Sequence, residues 1–124
     1  MFSTHHPKHH YNSLKNAWRG FYKAFLTQRN LRLELFIGIV VIIAGYLFNF
    51  DFLRQVIVIV TVLLVLSFEM VNTSIEAMVD ATHPDRGEVA KFSKDTAATA
   101  MLLVSILALI VGIYLFVPRF LFLH

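Results

Sequence analysis

The chain has 124 residues, which is enough for one domain. Hydrophobic residues make up 57% of it and charged residues only 15%, a composition far from the soluble average and close to that of integral membrane proteins. The absence of cysteine excludes disulfides, thiol chemistry and cysteine-based zinc sites. The net charge is only +3, and we expect no nucleic acid among its partners.

Residues 1–10, MFSTHHPKHH, are interpreted as a disordered, His-rich tail, and residues 11–124 as one membrane domain. The tail contains four histidines, so weak binding of a transition metal is an alternative. A partly cationic tail without a role of its own is the favoured interpretation.

The next segment, about residues 11–28, repeats apolar residues with helical spacing, and Lys and Arg lie on the opposite side. Its apolar arc consists of Tyr11, Leu14, Trp18, Phe21, Tyr22 and Phe25. This pattern is typical of a helix that lies along a membrane surface. Packing of the same face against the other helices is an alternative, and both can hold.

Three apolar segments follow, at about residues 33–50, 52–80 and 94–118. A spanning helix needs about 20 residues to cross a ~30 Å hydrocarbon core. Buried helices of a soluble protein are the alternative, but so short a chain has too little surface to hide three of them. We therefore predict an all-α integral membrane protein with three transmembrane helices preceded by an amphipathic surface helix.

The orientation follows from the positions of Lys and Arg. Six of these residues precede the first span and three lie between the second and third spans, whereas the other side has only Arg54 and Arg119. The N-terminus and the second loop are therefore predicted to be cytoplasmic. That loop contains Pro84 and Gly87, which predict a turn followed by a helix that re-enters the membrane.

The second span ends in FEMVNTSIEAMVD, where polar residues fall within an arc of about 100° on a helix. We call this set the acidic stripe; its members are Glu69, Asn72, Thr73, Glu76 and Asp80. Glu69 lies about 27 Å of helix from Asp51, just inside the predicted cytoplasmic boundary. Glu34 of the first span and Lys94 and Asp95 of the third reach the same level.

A carboxylate at this depth is costly unless it is paired, solvated or neutralised, so it is a candidate functional group. Glu69 and Glu76 lie two turns apart on one face and can converge on a cation. Mg²⁺ prefers one or two carboxylates together with phosphate oxygens and water. The alternative is a polar zipper between helices, satisfied by Lys94 or by Asn72 of a neighbour.

The sequence EMVNTSIEAMVD resembles the signature of the prokaryotic diacylglycerol kinase and undecaprenol kinase family. That signature is Glu, two residues, Asn-Ser/Thr, two residues, Glu, three residues and Asp. KDTAATA at Lys94 and Asp95 resembles the family's second motif. WRG at residues 18–20 and RNLRLE at residues 29–34 are similar to its surface helix and its approach to the first span. The resemblance covers roughly residues 11–117.

The resemblance implies a bacterial inner-membrane lipid kinase that uses ATP and Mg²⁺, usually a homotrimer with its site at the cytoplasmic face, shared between neighbouring subunits. Glu69 matches the proposed base and Glu76 the residue that binds the divalent cation. Asn72, Lys94 and Asp95 match positions around the nucleotide phosphates and the acceptor. We also expect Asp80 at the nucleotide. The expected partners are ATP, a lipid alcohol and membrane lipids.

Two departures from the family pattern concern the metal and the second loop. Gln28 stands where the family commonly has an acidic metal ligand; its carbonyl oxygen can still ligate, and Glu34 or Asp80 could supply the missing charge. Gly87-Glu88-Val89 stands where the family often has His-Glu-Leu. The expected metal ligands are therefore Glu76, Gln28 and Glu34.

Undecaprenol is favoured as the acceptor by a narrow margin. RNLR and AKFSKDTAATA are closer to the undecaprenol kinases, whereas Glu34 is closer to the diacylglycerol kinases. A channel would need polar residues through the membrane, but Thr61 and Ser105 are almost the only ones there. A catalytically inactive scaffold is the remaining alternative, and Gln28 alone favours it.

Overall fold

The computed structural model describes residues 7–85 and 87–122, and it contains four helices and no strand within those ranges. The helices are α1 (Pro7–Thr27), α2 (Arg29–Leu47), α3 (Phe52–Thr82) and α4 (Glu88–Leu121). α3 is central and packs against both α2 and α4, while α1 contacts α2 and α3. By length and composition, α2, α3 and α4 can each cross a membrane. The predicted all-α fold with three spans is confirmed.

The helix boundaries differ from the predicted ones mainly at the ends of α1, α2 and α4. α1 begins at Pro7, so residues 7–10 are helical although they were predicted to be part of a disordered tail; the other residues of that tail, 1–6, lie outside the described residues. α2 begins and ends earlier than predicted, and α4 is longer at both ends.

Only Gln28 separates α1 from α2, and the junction is held by an arginine from the second helix. The Arg32 guanidinium donates hydrogen bonds to the backbone oxygens of Phe25, at 2.8 Å, and Leu26, at 3.0 Å. The last carbonyls of a helix have no partner within it, so Arg32 satisfies two such groups of α1. Leu31, which is fully buried, packs beneath the same junction.

The turn between α2 and α3 explains why α2 ends at Leu47. Asn49 has a φ of 59°, in the left-handed region that asparagine tolerates better than most residues. The Phe50 amide donates to the Gly45 carbonyl at 3.0 Å. Asp51 then caps α3, because its Oδ1 accepts a hydrogen bond of 3.1 Å from the Arg54 amide.

α2 and α3 approach each other closely at two glycines. A Cβ atom added at Gly38 would lie 2.6 Å from Cγ1 of Val62, and one added at Gly45 would overlap Oε1 of Gln55. The Gln55 amide also donates a 3.0 Å hydrogen bond to the Ile42 carbonyl. These small residues allow the backbones of the two spans to pack face to face.

Most of the apolar arc of α1 faces away from the other helices. Tyr11, Leu14, Trp18 and Tyr22 are each more than half exposed, whereas Phe21 and Phe25 are partly buried. Ala24, one turn before the junction, is buried. Packing against the bundle therefore covers only the C-terminal part of this arc, and the rest is available to a membrane surface.

Candidate active site

The acidic stripe lies on one uninterrupted helix, α3, and its burial falls steadily along three turns. Glu69 is only 4% exposed. Asn72, Thr73 and Glu76 are partly buried, and Asp80 is exposed. The stripe therefore runs from a carboxylate that the protein shields, Glu69, to one that is exposed at the end of the helix, Asp80. A ligand coming from solvent could reach the buried end along it.

α2 adds a further carboxylate to the buried end of the stripe. Glu34 is partly buried, and its charge interacts with that of Glu69, which interacts in turn with that of Glu76. Neighbouring carboxylates repel one another, so the fully ionised cluster costs free energy unless protons or cations are bound. Glu69 thus has a carboxylate of α2, Glu34, and a carboxylate of its own helix, Glu76, as electrostatic neighbours.

Two oxygen atoms in this cluster are buried without a hydrogen-bond partner among the described residues. They are Oε2 of Glu34 and Oδ1 of Asn72. The amide nitrogen of Asn72 is engaged, since it donates to Oε1 of Glu76 at 3.3 Å. Buried oxygens without partners are uncommon in proteins, and these two have unused capacity to accept a hydrogen bond or to bind a cation.

Lys94 of α4 meets the open end of the stripe. Its ammonium nitrogen lies 2.5 Å from Oδ1 of Asp80, and the two side chains are 33% and 60% exposed. A pair so accessible to solvent contributes at most about 1 kcal/mol, so either partner can exchange it for a ligand. Asp95, the next residue, is exposed.

The expected metal ligands do not form a closed site made of protein alone. Among the residues that the structure describes, no three His, Asp or Glu side chains are placed to hold a metal ion. Gln28 is partly buried at the start of α2, and its side chain does not cap that helix. Mg²⁺ can use only one or two carboxylates when phosphate oxygens supply the other ligands. The donor set around Glu76 fits that mode.

An apolar groove of about 570 Å³ leads to Glu34 between α2, α3 and α4. Gly38, Ala108 and Gly112 help to form it, because small side chains leave the space open. Sequence analysis missed this groove, although a run of small residues at helical spacing in two spans would have been its signal. The groove supplies an apolar approach to Glu34.

The model of the prokaryotic diacylglycerol kinase family matches residues 15–116. This range includes the acidic stripe, Glu34, Lys94, α2, α3 and most of α4. The chain belongs to the prokaryotic diacylglycerol kinase family. This membership and the three apolar helices make it a multi-pass membrane protein, and the channel and scaffold alternatives are not favoured.

Known relatives have two different names. A diacylglycerol kinase of Synechocystis sp. is 41% identical over 107 residues, 86% of this chain and 61% of the relative, so the chain spans less than two thirds of that protein. The undecaprenol kinase of Bacillus subtilis is 28% identical over 109 residues, 88% of this chain and 89% of the relative. A diacylglycerol kinase of Escherichia coli K12 is 32% identical over 95 residues, 76% of this chain and 77% of the relative.

Proposed function

We propose that this chain transfers the γ-phosphoryl group of ATP to the hydroxyl of a membrane lipid alcohol, with Mg²⁺ as the cofactor. The observation that carries this proposal is the burial of Glu69 beside Glu34, at the head of an apolar groove. A lipid in that groove would present its hydroxyl to carboxylates that are shielded from water. A base in this position suits removal of the proton from a lipid hydroxyl.

Glu69 is the proposed base that accepts the proton of the lipid hydroxyl. An alcohol is a weak acid, so a base within hydrogen-bond reach assists its attack on phosphorus. Burial keeps water away from Glu69, which limits wasteful hydrolysis of ATP. Glu34 lies beside Glu69, and its unpartnered oxygen remains available to the divalent cation.

The nucleotide side is proposed to consist of Asn72, Glu76, Asp80, Lys94 and Asp95. Lys94 would leave Asp80 for a phosphate, an exchange that its exposed ion pair permits. Glu76 would hold the divalent cation, with Gln28 and Glu34 as further oxygen donors. When bound, this cation neutralises phosphate charge as the phosphoryl group is transferred.

Neighbouring subunits are proposed to complete the site in a homotrimer. Asp95 is exposed and Lys94 is one-third exposed within a single chain, which leaves both accessible to a second copy. The excess of Lys and Arg near the acidic end supports a cytoplasmic location for this site, in the inner membrane of a bacterium.

Undecaprenol is the acceptor that we favour, with undecaprenyl phosphate as the product. One apolar groove leads to Glu34, which suits an alcohol with a single hydrocarbon chain. The undecaprenol kinase of Bacillus subtilis also aligns over 89% of its own length. Diacylglycerol, converted to phosphatidic acid, is the second candidate because the 41% identical relative is named a diacylglycerol kinase.

The test is an assay of the purified chain in vesicles of defined lipid with ATP and Mg²⁺, supplied with either undecaprenol or diacylglycerol. We expect phosphorylated lipid, faster from undecaprenol, and a loss of about 10²–10⁴-fold in Glu69→Gln. Glu88→Gln, which changes an exposed carboxylate in the first turn of α4, is the matched control and should retain activity. The absence of product from both alcohols would refute the kinase proposal, and full activity in Glu69→Gln would refute the role of that residue.

A further inference from the structure

A second cavity, of about 650 Å³, lies at the end of the molecule opposite the acidic stripe. It is formed by the α2–α3 turn, the first turn of α3 and the last turns of α4. Arg54 and Arg119 both line it, and we call it the arginine cavity. Arg54 precedes Glu69 by about 22 Å of helix, so this cavity is separate from the candidate active site.

The arginine cavity has more positive than negative charge. Arg54 is paired with Asp51, whose Oδ2 lies 3.2 Å from its Nη1. Arg119 has no ion-pair partner among the described residues. In the sequence, Asp51 is the only acidic residue between Glu34 and Glu69, and none follows Asp95. The charges at the cavity are thus two guanidinium groups and one carboxylate, which pairs with Arg54 alone.

Arg119 is held in place by the backbone rather than by a carboxylate. Its Nε donates to the carbonyl of Phe48 at 2.9 Å, and its Nη2 donates to that of Asn49 at 2.7 Å. These bonds fix the guanidinium against the turn and leave its charge uncompensated. A guanidinium that is oriented before binding is well suited to a phosphate, which it can contact through two N–H groups at once.

Apart from Asn49 and the hydroxyl of Tyr114, the rest of the wall is apolar, and it lies where lipid headgroups would be. Tyr114 and Phe122 line the cavity and are 78% and 83% exposed. Arg54 lies in the first turn of α3 and Arg119 in the last turn of α4, at the ends of two spans. A ligand here therefore meets positive charge at the headgroup level and apolar surface beside it.

We propose that the arginine cavity binds the headgroup phosphate of an anionic phospholipid, with the lipid's glycerol and upper chains against Tyr114 and Phe122. The phosphate accepts hydrogen bonds from both arginines, and the net positive charge selects anionic over zwitterionic lipid. The site lies in the leaflet opposite the acidic stripe, and it does not depend on the proposed kinase reaction.

The experiment places the only tryptophan of the chain beside the cavity. Trp18 is the single tryptophan, so Trp18→Phe with Phe120→Trp moves it to α4 next to the cavity but not into its lining. This full-length chain is reconstituted in vesicles, and quenching of the relocated tryptophan by phosphatidylglycerol with brominated chains is compared with quenching by brominated phosphatidylcholine. We expect the anionic lipid to bind about fivefold more tightly than the zwitterionic one, as one uncompensated basic group at a membrane surface would give.

Three further substitutions in that background remove a positive charge, keep it, or remove the negative charge. Arg54→Gln should abolish the preference, and Arg54→Lys should keep most of it. Asp51→Asn should strengthen it, because the amide still caps α3 but no longer offsets Arg54. Misfolding of Arg54→Gln could explain a lost lipid preference in that variant. It could not explain the stronger preference for anionic lipid that we expect in Asp51→Asn.

The control uses the chain with tryptophan only at its natural position, Trp18, which lies at the acidic end. Arg54→Gln should leave lipid quenching of Trp18 unchanged. Equal quenching by the two lipids of the tryptophan introduced in α4, or no response to Asp51→Asn, would overturn the proposal. Displacement of the lipid by millimolar inorganic phosphate would also overturn it, because the cavity would then be a site for soluble phosphate.

Discussion

Asp51 and Glu69 are carboxylates of the same helical segment with opposite surroundings. Asp51 is exposed, caps α3 and pairs with Arg54. Glu69 is 4% exposed and has two other carboxylates as electrostatic neighbours. The first arrangement stabilises a charge, whereas the second makes a charge costly until a ligand arrives. A structural role for Asp51 and a chemical role for Glu69 follow from this contrast.

The cap at Asp51 makes a prediction for the pH dependence of stability. The hydrogen bond from the Arg54 amide holds the pKa of Asp51 below its ordinary value. A carboxyl whose folded pKa is lowered stabilises the fold above its unfolded pKa, and this contribution is lost as the pH falls through the folded pKa. We therefore expect Asp51→Ala to be less stable than the wild type at neutral pH and the two to converge in acid. Thermal unfolding in detergent over this range measures the difference.

Asp51→Asn keeps a side chain that can cap α3 but removes the carboxylate charge. Asparagine caps helices about as well as aspartate but does not titrate. The stability of this variant should therefore lack the change that the wild type shows near the folded pKa of Asp51. If Asp51→Ala differs from the wild type by the same amount at every pH, the carboxylate charge has no part in the cap.

Gln28 predicts a gain of function. It contributes an uncharged oxygen where the family resemblance of the sequence implies an acidic metal ligand. Gln28→Glu adds a charged oxygen donor at the start of α2, and a hard cation binds more tightly to a carboxylate than to an amide. We expect the Mg²⁺ concentration for half-maximal lipid phosphorylation to fall, by about tenfold for about 1.4 kcal/mol of added binding energy.

Gln28→Asn is the control for this change, because it keeps the amide and shortens the side chain. It should not lower the Mg²⁺ requirement. An unchanged requirement in Gln28→Glu would exclude Gln28 from the metal site and leave Glu76 and Glu34 as its protein ligands.

At the scale of helices, hydrophobic patterning, periodic in α1 and continuous in the three spans, was sufficient to predict all four elements and their order. It could not predict where α2 ends, because this boundary depends on the left-handed conformation of Asn49. It also could not predict the junction after α1, where Arg32 from the next helix caps the chain. Both boundaries depend on single residues that do not change the periodicity.

Some contacts of the candidate site could likewise be predicted from the sequence, and others could not. Contacts within one helix, such as that between Asn72 and Glu76, follow from a spacing of four residues and could be predicted. The ion pair of Lys94 with Asp80 and the meeting of Glu34 with Glu69 depend on the register between helices. Only their common depth could be predicted from the sequence.

The register between α2 and α3 depends on Gly38, which makes a prediction for packing. An added Cβ would lie 2.6 Å from Val62, a stiff β-branched side chain in a close-packed contact. Gly38→Ala should destabilise the protein by about 1–3 kcal/mol, the usual range for overpacking. Unfolding in detergent measures this change.

A second substitution tests whether Val62 is the cause. The double variant Gly38→Ala/Val62→Ala should lose less free energy of unfolding than the two single variants lose together. The reason is that the shorter side chain at position 62 makes room for the methyl group at position 38. Gly20→Ala is the matched control: no atom lies within 4 Å of its added Cβ, and alanine favours a helix. If the stability losses of the two single variants simply add in the double variant, the contact between positions 38 and 62 does not determine how α2 packs against α3.

At the scale of the whole molecule, the two ends of the spans differ in chemistry. One end gathers the acidic stripe, Glu34 and Lys94, and nine of the 11 Lys and Arg residues belong, in the sequence, to segments 8–32 and 86–94. The other end has Arg54 and Arg119, one carboxylate and a cluster of phenylalanine rings in which Phe50 and Phe116 are 4.7 Å apart. The helices of one chain thus hold two different boundary environments about one membrane thickness apart.

This polarity predicts the orientation of the protein, and the absence of cysteine makes the test direct. His83→Cys introduces one thiol in the exposed loop between α3 and α4, and Phe122→Cys introduces one at the exposed end of α4. Because Lys and Arg are retained in the cytoplasm, a membrane-impermeant maleimide should label Phe122→Cys in right-side-out vesicles and His83→Cys in inverted ones. Labelling after addition of detergent controls for thiol reactivity in each case. The reverse pattern would place the acidic stripe outside the cell, away from ATP, and the proposed reaction could not occur there.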